Sequence, residues 1–148
     1  MPDEHRPQDI DTLARTVYGE ARSEPLQGQI AVAHVVLNRY AQPGWWTRQQ
    51  GDGVPDDTIE AACLDPWQFS CWNDGDPNRA KLEAATLADP ALRRAMAVAC
   101  AAVEGLEGFG DPTGGATHYH ARSIRPDWDY EALSEPVAIG AHHFYRRR

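Results

Sequence analysis

A short polar stretch at residues 18–25 carries the side chains of this sequence that are best suited to acid–base chemistry. It reads Tyr-Gly-Glu-Ala-Arg-Ser-Glu-Pro, so Glu20 and Glu24 follow directly on a helical pattern. A glutamate at a helix end is fixed by packing while its carboxyl reaches a cleft, and partial burial then raises its pKa towards that of a general acid. The residues alone leave two interpretations open: Glu20 is such an acid, or both glutamates are surface carboxylates paired with Arg22.

Two helices are predicted around this stretch. Apolar residues recur at helical spacing over residues 10–21, with Asp9 as the expected N-cap and residues 1–8 as a flexible tail. On a helical wheel Glu20 lies at the edge of the apolar stripe, beside the core rather than within it. Residues 28–40 are apolar almost all round, which is typical of a buried central helix; a buried strand is the alternative.

Further elements follow in the second half of the chain. Asn78 is the expected cap of a helix that runs to Leu87, and Asp89-Pro90 opens another that ends at glycines from Gly105 onward. Residues 116–121 alternate like a strand, which puts Thr117 and Tyr119 on one face and His118 and His120 on the other. This strand is expected to pair with the last element, residues 137–145, as a small sheet.

Two aromatic segments have a structural and a functional interpretation. Trp45-Trp46 stands in a broken, polar region, where it forms either a sugar-stacking platform or a hydrophobic clip. Residues 65–73 interleave three aromatic side chains with Gln, Ser and Asn, a mixture that suits a carbohydrate subsite. The alternative for this second segment is an aromatic-rich loop packed on the domain.

Composition bounds the class of protein. A chain of 148 residues fits one domain, which we place at residues 9–148, and no apolar run approaches the ~18 residues of a membrane span. The net charge of −8 argues against a nucleic-acid partner. The charged N-terminus lacks the apolar segment of a secretory signal, so we expect synthesis in the cytoplasm without a signal peptide.

Metal and nucleophile chemistry have weaker support. His118, His120, His142 and His143 offer imidazoles for zinc, but the sequence has no HExxH and no Cys/His framework. It also has no G-x-S-x-G, and none of its three cysteines has an obvious activating neighbour. We therefore expect neither a metal nor another cofactor.

Four ordered motifs resemble those of SleB-type cell wall hydrolases, the family of the spore-cortex-lytic enzymes and related phage and bacterial hydrolases. The first is the polar stretch with the apolar segment after it, residues 18–39. The others are Gln-Phe-Ser-Cys-Trp at residues 68–72, Asp-Pro-Thr-Gly-Gly-Ala-Thr-His-Tyr at residues 111–119, and Ile-Gly-Ala-His-His-Phe-Tyr-Arg at residues 139–146. The resemblance spans about residues 10–146.

This resemblance implies an α+β, mostly helical, lysozyme-related domain with a small β element near the C-terminus. It also implies cleavage of the MurNAc–GlcNAc bond of peptidoglycan, by lytic transglycosylation that leaves 1,6-anhydro-MurNAc ends. Glu20 is the implied catalytic residue, while Arg22 and Glu24 would hold the turn that aims it. The implied substrate-binding residues are Gln68, Phe69, Trp72, Thr117, Tyr119, His120 and His142, with packing an equal alternative for His142.

Departures from the family pattern and rival functions stay open. Ser23 stands where the family commonly has glycine, and the region of residues 41–57 is extended. We expect a monomer that acts on the cell wall or periplasm, for example as an endolysin after phage- or holin-type release. The alternatives are a hydrolytic muramidase, a metal-dependent amidase and a non-catalytic glycan-binding module. Asp111 and Asp129 are candidates for a second carboxylate.

Overall fold

The computed structural model describes residues 5–42, 58–64 and 69–148. Within these ranges the chain forms helices α1 to α5, followed by a small antiparallel sheet. This arrangement confirms the expected mostly helical α+β fold with a β element near the C-terminus. The helices span Pro7–Ala21 (α1), Leu26–Ala41 (α2), Ile59–Leu64 (α3), Pro77–Ala84 (α4) and Pro90–Glu104 (α5), with short 3-10 helices at Ser70–Trp72 and Tyr130–Ala132.

Helix α1 begins at Pro7, two residues before the predicted boundary of the domain. Proline suits the first turn of a helix because its missing N–H would be unpaired there in any case. Asp9 is therefore not the N-cap; it lies one turn in, where its carboxylate accepts the backbone N–H of Arg6 at 2.9 Å. Its other oxygen accepts the N–H of Glu60 at 3.0 Å, which ties α3 to the start of α1.

The core lies where α1 packs against α2 and α5. Leu13 and Val17 of α1 are fully buried, and in α2 the burial extends to nearly every position from Gly28 to Val36. This confirms α2 as the buried central helix. Most of the interior thus lies between the helices, and the sheet contributes Phe144 of β3, which is fully buried in the same core.

The sheet has strands β1 (His118–Ala121), β2 (Val137–Ile139) and β3 (His142–Tyr145), in the order β1-β3-β2. Tyr119 is opposite Phe144 and His120 is opposite His143, which confirms the predicted pairing of the two histidine-bearing segments. Because side chains alternate along a strand, the sheet has two distinct faces. The tyrosine face carries Tyr119, His142 and Phe144; the histidine face carries His118, His120, His143 and Tyr145.

In the described part of the chain, none of the helices is both long enough and apolar enough to cross a bilayer.

Candidate active site

Glu20 lies in the last turn of α1, which ends at Ala21. The preceding residue, Gly19, allows the 3-10 helix at Ser70–Trp72 to approach α1 closely. A Cβ atom on Gly19 would stand 2.7 Å from Cβ of Cys71 and 2.8 Å from a side-chain carbon of Leu82, closer than such atoms are found. The glycine thus brings the backbone amide of Ser70 within hydrogen-bonding reach of the Glu20 carboxyl.

The Glu20 carboxyl has the electrostatic character of a general acid. Burial disfavours its charged form and raises its pKa to about 7, and the nearby carboxylate of Asp76 adds to the rise. Hydrogen bonds from the Tyr119 hydroxyl and the Ser70 amide act in the opposite direction and lower the pKa. At neutral pH Glu20 therefore populates both of its protonation states, as a group that must first give and then take a proton requires.

Tyr119 reaches Glu20 from the tyrosine face of the sheet. Burial and the nearby Glu20 carboxyl raise the pKa of its hydroxyl well above 10, so the hydroxyl stays a neutral donor. The ring stacks on Phe144 with centroids 5.5 Å apart and makes a T-shaped contact with the His142 ring at 5.2 Å. Tyr119, almost 100 residues away in the sequence, thus influences the pKa of Glu20 through a direct hydrogen bond.

Asp76 is the site residue that sequence reasoning missed. It is the N-cap of α4, where its carboxylate accepts the backbone N–H of Asn78 at 2.8 Å. The predicted cap, Asn78, lies inside the helix instead. A signal was available, since Asp76-Pro77 repeats the Asp-Pro start that correctly marks α5 at Asp89-Pro90.

Arg22 and Glu24 both bridge the α1–α2 turn to other elements. The Arg22 guanidinium donates to Oδ1 of Asn78 at 2.8 Å and lies 4.9 Å from the centre of the Tyr18 ring. Glu24 accepts the backbone N–H of Ala141 at 2.8 Å, and Nδ1 of His142 lies 2.9 Å from the same oxygen. The interpretation of Glu20 and Glu24 as a surface cluster around Arg22 is therefore wrong.

The remaining predicted substrate-binding residues differ in how accessible they are. Trp72 is half-buried and its indole N–H donates to the Thr16 hydroxyl at 2.9 Å. Phe69 and Thr117 are almost wholly buried, with 1% and 2% of their surface exposed. Gln68 lies outside the described residues, as does the Trp45-Trp46 pair of residues 43–57. Direct contact of these side chains with a substrate stays a prediction.

His120 lies on the histidine face, opposite to Tyr119, as the strand alternation predicts. Its Nε2 is 2.8 Å from the Tyr145 hydroxyl and its Nδ1 is 2.7 Å from the carbonyl oxygen of Ala121. Trp128 covers this face, with ring centroids 5.4 Å from His120 and 5.6 Å from His118. The structure therefore does not bring His120 together with Glu20.

Neither of the candidate second carboxylates reaches Glu20. Asp111 holds its own turn: one oxygen accepts the Thr113 amide at 2.8 Å and the other the Gly115 amide at 3.0 Å. Burial raises the pKa of Asp111, but hydrogen bonds from the Thr113 hydroxyl, the Asn38 side chain and these two amides outweigh the burial and lower it. Asp129 is exposed. Among residues 5–42, 58–64 and 69–148, no three His, Cys, Asp or Glu side chains converge as a metal site would require.

A basic cavity lies at the end of the sheet where β1 begins and β3 ends. It has a volume of about 380 Å³ and includes Thr117, which immediately precedes β1 and lies two residues before Tyr119 in the chain. Its other lining residues are Gln42, Gly114, Gly115, Arg146, Arg147 and Arg148. Three arginines thus lie close together beside β1, which makes this region basic although the net charge of the whole chain is −8.

The domain is mostly helical and places one largely buried glutamate of raised pKa beside a tyrosine hydroxyl, an arrangement that suits general acid catalysis. Residues 23–145 match the family model described as cell wall hydrolase, and the chain belongs to that family. The matched range begins three residues after Glu20, so the case for this glutamate rests on the geometry and electrostatics described above.

Solved structures and a curated relative agree with this assignment. The catalytic domain of the Bacillus cereus SleB protein has a TM-score of 0.68 and 26% identity, covering 99% of this chain and 95% of that one. The catalytic domain of the germination-specific lytic transglycosylase SleB from Bacillus anthracis gives 0.66 and 26%, covering 99% and 100%. The spore cortex-lytic enzyme of Halalkalibacterium halodurans is 34% identical over 80% of this chain, which spans 29% of that relative.

Proposed function

We propose that this chain cleaves the glycan strands of peptidoglycan at the MurNAc–GlcNAc bond, with Glu20 as general acid and then general base. The observation that carries the proposal is the largely buried Glu20 carboxyl, whose pKa is raised to about 7 beside the Tyr119 hydroxyl. Membership of the cell wall hydrolase family and the likeness to a lytic transglycosylase catalytic domain support it.

In the first step protonated Glu20 donates its proton to the glycosidic oxygen while the bond from that oxygen to C1 of MurNAc breaks. The GlcNAc-bearing fragment leaves as an alcohol, and C1 becomes oxocarbenium-like. Glu20, now a carboxylate, takes the proton of the MurNAc C6 hydroxyl as its oxygen bonds to C1. The products are a 1,6-anhydro-MurNAc end and a re-protonated Glu20, with no water consumed.

This route needs only one carboxylate because the substrate supplies its own nucleophile. The carboxylate that acts on Glu20 from close by is Asp76, and one of its oxygens is engaged as the cap of α4. Hydrolysis is the second candidate, since Asp76 could instead hold a water molecule against C1. Transglycosylation is favoured because an engaged cap oxygen is a poor base.

We place the substrate groove between the 3-10 helix at Ser70–Trp72 and the tyrosine face. Trp72 would offer an aromatic edge to a sugar ring, and Tyr119 and His142 would line the opposite wall. Gln68 keeps its predicted contact with the substrate as a proposal. Phe69, Thr117 and His120 are buried, so we propose that they support the walls of the groove from behind.

The proposed place of action is the cell wall or periplasm, with the chain working as a monomer. Release by a phage or holin system is the route proposed from the sequence. The basic cavity near Arg146–Arg148 is suited to the anionic groups of a wall polymer, since guanidinium pairs well with carboxylate and phosphate.

Digestion of purified peptidoglycan, followed by mass spectrometry of the products, tests the proposal. Anhydro-muropeptides support transglycosylation, reducing MurNAc ends support hydrolysis, and free stem peptides support an amidase. Glu20→Gln should lower glycan cleavage by about 10²–10⁴-fold, the usual contribution of general acid–base catalysis. Full activity of Glu20→Gln would exclude the assignment.

Asp76→Asn is the matched control, because asparagine also caps helices while lacking the charge. It should keep anhydro products if Glu20 acts alone and lose reducing-end products if Asp76 activates water. Digestion with and without EDTA separates a metal-dependent amidase from both glycosidase outcomes.

A further inference from the structure

A continuous set of contacts connects Glu24 to Glu20 by way of the sheet. Glu24 lies in the α1–α2 turn, and Nδ1 of His142, the first residue of β3, is 2.9 Å from its Oε1. A carboxylate can only accept a hydrogen bond, so Nδ1 carries the proton. The His142 ring meets the Tyr119 ring edge-on at 5.2 Å and 82°. The Tyr119 hydroxyl in turn donates a hydrogen bond to the Glu20 carboxyl.

The Glu24–His142 pair is enclosed far more than a surface ion pair. The side chains are only 10% and 14% exposed, respectively. Two glycines make the room: a Cβ on Gly140 would lie 2.5 Å from Oε1 of Glu24, and one on Gly28 would lie 3.0 Å from its Cβ. Gly140 has a φ of +56°, which few other residues adopt, and its turn aims the Ala141 N–H at the same oxygen.

The enclosure restricts the ring of Tyr119. Phe144 stacks on that ring with centroids 5.5 Å apart, and His142 makes a T-shaped contact with it at 5.2 Å. His142 itself is held by Glu24 and by an edge contact with Phe144 at 6.1 Å. A phenol confined in this way keeps its hydroxyl in one place.

We propose that Glu24 and His142 are positioning residues, which together hold the Tyr119 hydroxyl against the Glu20 carboxyl. In this role the pair presupposes the Glu20 function proposed above. Neither residue needs to touch the reacting atoms; both act through Tyr119. In this proposal, Glu24 contributes to function by keeping Glu20 aligned with Tyr119.

The consequence is a change in pH dependence. The groups that bear on Glu20 are Asp76, Tyr119 and the Ser70 amide, and Arg39 and Cys71 also bear on Tyr119. Loss of the Tyr119 hydrogen bond removes an influence that lowers the pKa of Glu20, while burial and Asp76 remain. The pKa therefore rises, and the high-pH limb of activity, where Glu20 loses its proton, moves to higher pH.

The experiment measures kcat and KM against pH on soluble glycan strands for the wild type, Glu24→Ala and Glu24→Gln. Glu24→Ala is expected to lower kcat about tenfold and to move the high-pH limb upward by about half a pH unit. Glu24→Gln still offers an acceptor oxygen to Ala141 and His142, so it should recover most of both effects. An unmoved limb in Glu24→Ala overturns the proposal.

A double-mutant comparison tests whether the effect passes through Tyr119. In a Tyr119→Phe background, Glu24→Ala should cause no additional movement of the limb; an equal movement there overturns the proposal. If Glu24→Ala does not fold, His142→Phe replaces it, because phenylalanine keeps the ring edge and loses only the tie to Glu24. It should then move the limb in the same direction, and no movement counts against the proposal.

A control variant, Arg22→Ala, separates positioning of Tyr119 from a general loosening of the α1–α2 turn. The activities of the wild type and of Glu20→Gln show separately whether the proposed Glu20 function holds. Arg22→Ala breaks contacts of the same turn on the side of Tyr18 and Asn78, so it should lower Tm without moving the limb. A limb that moves equally in Arg22→Ala would reduce the pair to a merely structural role. Failure of the Glu20 function shows differently, as inactivity of the wild type or full activity of Glu20→Gln.

Discussion

The two faces of the small sheet contain similar side chains but differ in what those side chains contact. On the tyrosine face, Tyr119 and His142 are connected to a buried carboxyl whose pKa is about 7. On the histidine face, His120 and Tyr145 hydrogen-bond to each other under Trp128. We propose that the tyrosine and the histidine of the first face act in proton chemistry, whereas those of the second face pack against each other. The difference between the faces is the carboxyl of Glu20 beside Tyr119.

A pair of identical substitutions, one on each face, should have the largest effect. Tyr119→Phe removes the hydroxyl that reaches Glu20, so we expect cleavage at pH 6 to fall by about 10–100-fold and the high-pH limb to move above 7. Tyr145→Phe deletes the same atom from the histidine face and should leave the rate per folded molecule within about twofold of the wild type. Rates of glycan cleavage across pH 5–9 check both, and equal losses would contradict the division between the faces.

Glu20, which contacts the tyrosine face, should also make the free energy of unfolding depend on pH. Since the pKa of Glu20 is about 7 when folded and 4.5 ordinarily, the folded protein binds more protons between these values. Its free energy of unfolding therefore falls as pH rises through that window. Glu20→Gln, which cannot ionise, should be more stable than the wild type above pH 7 by up to about 3 kcal/mol.

Urea unfolding at pH 4 and pH 8 measures this difference. The advantage of Glu20→Gln should be present at pH 8 and absent at pH 4, where both proteins carry a neutral side chain. An advantage of equal size at both pH values would mean that Glu20 is not held in a desolvated place.

A substitution on the histidine face should lower only the stability of the fold, and by less than the pH-dependent difference expected for Glu20→Gln. His120→Phe keeps an aromatic ring but leaves the buried Tyr145 hydroxyl and the Ala121 carbonyl without their partner, at a cost of about 1–2 kcal/mol. The KM for glycan strands should not change. An increase in KM with normal stability would instead support the direct substrate contact that the family resemblance implies for His120.

Local patterns predicted the elements of this fold well. The helical stripe of α1, the apolar circumference of α2 and the Asp-Pro start of α5 each depend on neighbours in sequence. The alternation of β1 even separated Tyr119 from His120, whereas family resemblance placed both in the cleft. Where pattern and resemblance disagreed, the pattern agreed with the positions of these side chains.

The errors and omissions concern contacts that no local pattern encodes. Asp9 resembles an N-cap in the sequence, but α1 begins two residues earlier at Pro7. Asp9 therefore lies within the first turn, where it accepts a hydrogen bond from α3. Asp76 affects Glu20 only because Gly19 lets two distant segments approach, and nothing near Glu24 in the sequence indicates a histidine 118 residues further on. Interactions of this kind depend on the tertiary fold, so a local sequence pattern cannot predict them.

That separation has a consequence for how the domain is made. The Glu20 and Glu24 carboxyls come from the first 24 residues of the chain, and the Tyr119 phenol and His142 imidazole come from the last 30. A ribosome that has completed α5 has therefore synthesised Glu20, Ser70 and Asp76, but neither Tyr119 nor His142. If the proposed function holds, we expect the unfinished domain to be inactive and glycan cleavage to begin only when β3 joins the sheet. Two separately expressed fragments, divided after Gly105, should likewise each be harmless and become lytic only on reassociation.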